Sequence, residues 1–306
     1  MRKFIMTLLV SLLIVLTILL IWFGLQPTLE QRDLEQPADI RLLFVGNSFT
    51  GNNELDQLVA NLMENLGPEW EDVYSTRIAP GGYKFINHLR DVENAAANPT
   101  IHQLLVSGSD TARDWDFILI QEQSQILGFN AQQQEKVASF GAAAQLNQYA
   151  RSTGATVMLM QTWGYADGDP NNSSLFPDYV TMQNQLTQGT FDFSRRMSAN
   201  GNRVFVVPAG RGFQLVYQDL LRDGQDPLAQ GSLFRELYAE DSKHPSLSGS
   251  YLAACVVTAV YTGQPVTEIE WTPRGLDAAF AAYLREITDR VVFGDEFPAQ
   301  TYPWSP

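Results

Sequence analysis

One serine, one aspartate and one histidine carry the residue types that acyl chemistry needs. Ser48 closes the tight turn Gly46-Asn47-Ser48 in the run RLLFVGNSFTG, and Asp241 stands three residues before His244 in DSKHPS. A serine hydroxyl barely ionises near neutral pH. It attacks only when an imidazole takes its proton and a carboxylate holds that imidazole in place. A separation of three lets Asp241 and His244 face each other on one turn. The carboxylate can then accept from Nδ1 while Nε2 points toward a serine or a substrate. Other uses of these residues exist. Gly, Asn and Ser are common turn formers, and a serine can simply cap the next helix. An Asp and a His can also bind metal, but a zinc site needs a third and usually a fourth ligand, and no HxH, HExxH or cysteine cluster is present. No metal and no cofactor are expected. The chain has three histidines; His88 and His102 read as surface or packing residues in helices between the second and third strands.

These residues must be placed by an alternating scaffold. Short β-rich apolar runs occur at residues 40–45, 73–78, 117–120, 156–160 and 204–207, each too short for a helix. Helical spacing fills residues 54–66, 85–96, 132–151 and 179–197, and the segments 248–261 and 276–291 read as closing helices. Strand then helix, repeated, predicts a three-layer α/β/α sandwich around a five-stranded parallel sheet with right-handed crossovers. Ligands in such sheets bind beyond the carboxyl ends of the strands, which is where Ser48 follows the first strand and Gln121 ends the third. The segment from Trp163 to Pro177, rich in Asp, Gly, Asn and Ser, follows the fourth strand and reads either as a lid or cleft wall or as a solvated loop.

The ordered blocks resemble the SGNH (GDSL-type) hydrolase superfamily. The likeness lies in Gly46-Asn47-Ser48, in the glycines of APGGYKF, in the polar end of ILIQEQS and in Asp241 to His244. It is similar more narrowly to a bacterial branch of uncharacterised SGNH-like domains and, in the third block, to carbohydrate O-acetylesterases. The resemblance implies a flavodoxin-like SGNH fold with Ser48 as nucleophile, His244 as general base then acid, and Asp241 as the residue that orients it. It also implies an oxyanion hole from the backbone N–H of Ser48, an N–H of Gly81 or Gly82, and a side-chain amide. Many members take that amide from an asparagine in a GxND motif. This sequence has none there, so Gln121 or Gln123 takes the place. Glu122 reads as a structural ion-pair partner or an alternative acid. The α/β-hydrolases use a G-x-S-x-G elbow with the acid and base far apart, and neither holds here.

The chain of 306 residues has 45% hydrophobic residues and no internal repeat, enough for one large core. Arg2 and Lys3 precede an uncharged apolar stretch, residues 4–25, long enough to cross a bilayer. Residues 1–28 are therefore expected to form a transmembrane anchor or signal, 29–39 a linker, and 40–306 the SGNH hydrolase-like domain. Basic residues on the amino-terminal flank place the domain outside the cytoplasm, periplasmic or extracellular, and a cleaved segment would leave it secreted. Without residues 1–28, 18 basic and 34 acidic side chains remain, which disfavours nucleic acid as a partner. Cys255 is the only cysteine and reads as a core residue. The expected activity is a serine esterase cleaving short O-acyl, chiefly O-acetyl, esters on carbohydrate at the cell envelope. An O-acyltransferase with the same triad and a non-catalytic glycan- or protein-binding domain are the alternatives.

Overall fold

A computed structural model describes residue 38 and residues 40–106, 114–198 and 203–305. Five parallel strands form one sheet: β1 (Ile40–Val45), β2 (Val73–Ile78), β3 (Phe117–Ile120), β4 (Thr156–Met160) and β5 (Phe205–Val207), in the order β2-β1-β3-β4-β5. β1 pairs on one side with β2 (Val45 opposite Ile78) and on the other with β3 (Val45 opposite Ile120). Leu42 to Val45 are at most 1% exposed, so β1 is buried on both faces and reads as a continuous apolar run.

The helices follow the crossovers. After β1 come the one-turn α1 (Ser48–Gly51) and α2 (Leu55–Glu64); after β2 come α3 (Phe85–Glu93) and α4 (Pro99–Leu105). Next are α5 (Gln134–Ser152), α6 (Tyr179–Met197), α7 (Ala209–Arg222), α8 (Leu247–Thr262) and α9 (Ala278–Val292). From β1 the chain steps to β2 on one side, and from β3 it steps to β4 and β5 on the other. Right-handed crossovers therefore put α2 and the pair α5 and α6 on opposite faces. α8 packs on α2, α7 and α9, whereas α5 packs on α3 and α6, completing the expected sandwich. α8 is apolar all round, with every residue from Gly249 to Tyr261 buried, so it is a core helix between α2 and α9.

Three helices, the one-turn α1 and the longer α4 and α7, have no counterpart in the periodicity reading. α7 begins Ala209-Gly210-Arg211-Gly212, glycines that lower intrinsic helix preference, and it forms because Phe213, Val216 and Leu220 bury one face. α4 is a short helix capped by the Asn98 side chain with Pro99 at its first position. Among the described residues no helix is long and apolar enough to cross a membrane. The expected transmembrane helix in residues 1–28 and the linker, apart from Ala38, lie outside the described residues. Residues Ala38–Pro306 form one compact unit.

Candidate active site

The sheet's topological switch point lies between β1 and β3, where successive connections leave in opposite directions and open a crevice at the strand ends. The turn after β1 enters it. Asn47 caps α1: its Oδ1 accepts from Phe49 N at 3.1 Å, and its carbonyl accepts from Thr50 N and Gly51 N. Ser48, the first residue of α1, is thereby lifted to the rim and stays half-buried. Gly46 admits no side chain, since a Cβ there would lie 2.4 Å from Thr50 Oγ1 and 2.7 Å from Gln121 Oε1. From below, His88 Nε2 donates to the Gly46 carbonyl at 2.7 Å. His88 is 1% exposed, and burial pushes its pKa down to about 4, so it is a neutral prop.

His244 arrives from the other end of the domain. The loop before α8 is pinned by an antiparallel bridge between Tyr238 and Pro245 and by Ala239 N donating to the His244 carbonyl. Within it, Asp241 Oδ1 accepts from Lys243 N at 3.1 Å and His244 N at 3.0 Å, while Oδ2 lies 2.5 Å from His244 Nδ1. Nε2 of the same ring lies 2.9 Å from Ser48 Oγ. With Nδ1 protonated toward the carboxylate, Nε2 is the acceptor for the serine proton. Partial burial works to raise the Asp241 pKa, but hydrogen bonds from the His244 ring and from the two backbone N–H groups outweigh it and hold the carboxyl below its usual range. The structure thus brings together Ser48, His244 and Asp241 in the order a proton relay requires.

Residues that the sequence reading did not single out hold this loop in place. Phe49 lies between His244 and Trp163, with ring centroids 5.4 Å and 5.0 Å away, and Trp163 stacks on Phe213 at 4.2 Å. Trp163 Nε1 donates to the Lys243 carbonyl, Ala166 N donates to the Ser242 carbonyl, and Arg235 forks onto Asp167 while reaching Ser242 Oγ. Residues 163–166 are buried, so the start of the Trp163–Pro177 segment is a fixed wall of the histidine loop and not a lid. Asn53, at φ +55°, spans the two halves: its Nδ2 donates to the Pro245 carbonyl and to Ser250 Oγ. The only available signal was position, since Trp163 follows β4 on the same sheet edge as Ser48.

Three backbone donors face no acceptor. Among the described residues nothing takes the N–H of Ser48, Gly81 or Gly82. The glycine loop is tied to the serine turn by Asn47 Nδ2 donating to the Tyr83 carbonyl at 2.9 Å. Gly82 sits at φ +73°, a conformation side chains disfavour, and both glycines are exposed with open space where a Cβ would point.

The third block corrects two expectations. Gln121 is 1% exposed; its Oε1 accepts from Asn47 N at 3.0 Å and Thr50 Oγ1 at 2.9 Å, and its Nε2 donates to the Glu122 carbonyl. The backbone donor fixes the amide oxygen, not the nitrogen, on the Ser48 side, so Gln121 braces the turn. Gln123 donates one Nε2 N–H to Gln125 Oε1 at 2.6 Å, and its second N–H has no partner among the described residues. Glu122, in turn, pairs with no Lys or Arg among the described residues. Its carboxyl accepts from Phe85 N and Gln123 N and meets Ser139 Oγ, and burial pushes its pKa up to about 7. No group of three or more His, Cys, Asp or Glu among the described residues is placed to hold a metal ion. His102 Nδ1 is bonded to the Val92 carbonyl, and Cys255 is fully buried.

No protein-family model matches the chain, and none of the curated proteins matches it in sequence. Solved structures do. A candidate SGNH hydrolase from Slackia heliotrinireducens superposes with a TM-score of 0.52 at 23% identity, covering 72% of this chain and 97% of that one. A DUF4886 family protein from Bacteroides uniformis gives a TM-score of 0.60 at 19% identity, covering 85% and 97%. An acetylxylan esterase from Geobacillus stearothermophilus overlaps more loosely, at a TM-score of 0.45 and 14% identity over 78% and 98%. At these identities the first two likenesses show that this chain shares the fold of those two proteins.

Proposed function

We propose that this protein is a serine esterase that cleaves short-chain O-acyl esters, chiefly O-acetyl groups on carbohydrate. The observation that carries the reading is the relay from Ser48 Oγ through His244 to Asp241, at 2.9 Å and 2.5 Å. Ser48 Oγ attacks the ester carbonyl as His244 Nε2 takes its proton, and Asp241 steadies the imidazolium. The tetrahedral oxyanion is met by the N–H of Ser48 and an N–H of the Gly81-Gly82 loop, the uncommitted donors at the crevice. His244 returns the proton to the leaving alcohol. Water, deprotonated by the same imidazole, then releases the acid from the acyl-enzyme. With the side chains of His244 and Asp241 33% and 45% exposed, the leaving alcohol stays in contact with water, which suits a small acyl group on a hydrophilic alcohol better than a lipid. The apolar segment at residues 4–25 is proposed to hold the domain at the outer face of a membrane.

The test is turnover of p-nitrophenyl acetate, butyrate and octanoate by the full chain, beside Ser48→Ala and His244→Ala. The reading expects hydrolysis that falls with acyl length and drops by about 10⁴-fold or more in each variant. Transfer of the acetyl group to an added sugar in preference to water would replace it with an acyltransferase. Turnover that survives both substitutions would discard the triad.

A further inference from the structure

Among the described residues, four carboxyls are buried to 2% exposure or less: Asp56, Asp91, Glu122 and Asp169. Asp56 and Asp91 each hold an arginine, and Asp169 takes donors from Gln125, Asn171 and Asn172. Glu122 differs in where its bonds lead. It follows Gln121, whose amide oxygen braces the serine turn, and its own Oε1 reaches the other wall of the crevice. That oxygen accepts from Phe85 N at 3.0 Å and from Gln123 N at 2.6 Å, while Oε2 meets Ser139 Oγ on α5. Phe85 opens α3 and stands three residues after Gly82, so one carboxyl oxygen joins the exit of the glycine loop to the third block. Of the loop's other bonds, Tyr83 N to Pro80 O and Lys84 N to Asn87 Oδ1 are local, and the Lys84–Glu135 pair is exposed. The Asn47 amide and Glu122 tie the loop to the serine turn and to the third block.

We propose that Glu122 is a positioning residue, its Oε1 fixing how far the N–H groups of Gly81 and Gly82 stand from Ser48. This role rests on the esterase reading, in which that loop meets the oxyanion. The oxyanion exists only on the way through the transition state, so a displaced loop lowers kcat and leaves KM in place. Burial favours the neutral carboxyl, and either form keeps an acceptor on Phe85 N and Gln123 N. The acceptor oxygen and its place, not a charge, therefore do the work. Glutamine preserves both: its Oε1 takes the two backbone donors and its Nε2 donates to Ser139, whose own hydrogen turns to the Glu135 carbonyl one helical turn back. Aspartate keeps a carboxyl but draws the acceptor back by one methylene. Methionine keeps the length and removes the acceptor.

The experiment compares the parent, Glu122→Gln, Glu122→Asp and Glu122→Met as full chains in a polyoxyethylene detergent. Turnover of p-nitrophenyl acetate is measured at 15 °C, and amide hydrogen exchange over residues 80–88 is read on the same samples, with α8 as the reference for global opening. In Glu122→Met, kcat is expected to fall about 10²-fold with KM within about three-fold, and exchange over residues 80–88 to rise more than in α8. Glu122→Asp should lose about ten-fold in kcat although it keeps the carboxyl, and Glu122→Gln should stay within about three-fold of the parent on both readouts. If Glu122→Met does not fold, the contrast between Asp and Gln decides. The inference is overturned by parent-like kcat in Glu122→Asp, by a loss that Glu122→Gln shares, or by a rise in KM that accounts for the loss. A parent no faster than Ser48→Ala defeats the esterase reading and this role with it, whereas an active parent beside unaffected Glu122 variants defeats this role alone.

Discussion

Gln121→Met separates two roles for the residue under the serine turn. The substitution keeps length and apolar volume but removes an acceptor that serves Asn47 N and Thr50 Oγ1. Both donors are buried, Asn47 at 2% and Thr50 at 1% exposure, so water does not replace the lost bonds. Each orphaned donor costs about 1–3 kcal/mol, so the pair costs about 2–6 kcal/mol. For a domain of this size that lowers the melting temperature by roughly 5–15 °C. Gln121→Glu retains the acceptor, and when protonated its hydroxyl can replace the Nε2 donor to the Glu122 carbonyl. Below pH 6 it is therefore expected to recover most of the loss. The assay is thermal unfolding by near-ultraviolet circular dichroism, run beside p-nitrophenyl acetate turnover at 15 °C, where the variants are folded. A melting temperature within 2 °C of the parent, with kcat reduced by about 10²–10³, is the signature of a lost oxyanion donor and would refute the bracing role.

Asp241→Asn turns a donor toward Nδ1 and favours the wrong tautomer of His244, so kcat should fall by about 10³–10⁴ while the melting temperature barely moves, the side chain being 45% exposed. Glu122 binds a proton more tightly folded than unfolded, its pKa raised from 4.5 to about 7. Its contribution to stability is full below pH 4.5 and is lost as pH rises through 7, a span worth about 3 kcal/mol. Glu122→Gln should flatten the stability profile between pH 5 and 8 in denaturant titrations. His88 has the opposite sign. Its pKa is lowered from 6.5 to about 4, so its contribution is present above pH 6.5 and lost as pH falls through 4. His88→Gln, which can keep a donor to the Gly46 carbonyl, should move the acid-unfolding midpoint to lower pH.

β1, β3, β4 and β5 were legible as short, largely buried apolar runs and β2, half-buried along most of its length, as a β-branched and aromatic run, and β1 to β4 begin and end where the pattern places them. α7 was not, since its glycine-rich start hides a helix whose stability comes from the core it covers. The meeting of Ser48, Asp241 and His244 was legible because serine, histidine and aspartate are distinct residue types, and the last two stand three residues apart. The partners that aim them were not. Trp163 reaches Lys243 across 80 residues and Asn53 reaches Pro245 across 192, and Phe49 packs on both Trp163 and His244; no local pattern encodes such contacts. Gln121 was misread for a related reason: a terminal strand amide offers both a donor and an acceptor, and only the position of Asn47 N decides which end faces the serine.

Ser48 and His244 stand 196 residues apart in the chain, on the first strand's exit and at the entry to the last core helix but one. A ribosome adding about 5–20 residues per second makes Ser48 about 10–40 s before His244. α8, which must be buried between α2 and α9 before the histidine loop can settle, is made later still. On the proposed reading, the Ser48 hydroxyl therefore has no imidazole to take its proton until α8 and α9 have been made and packed.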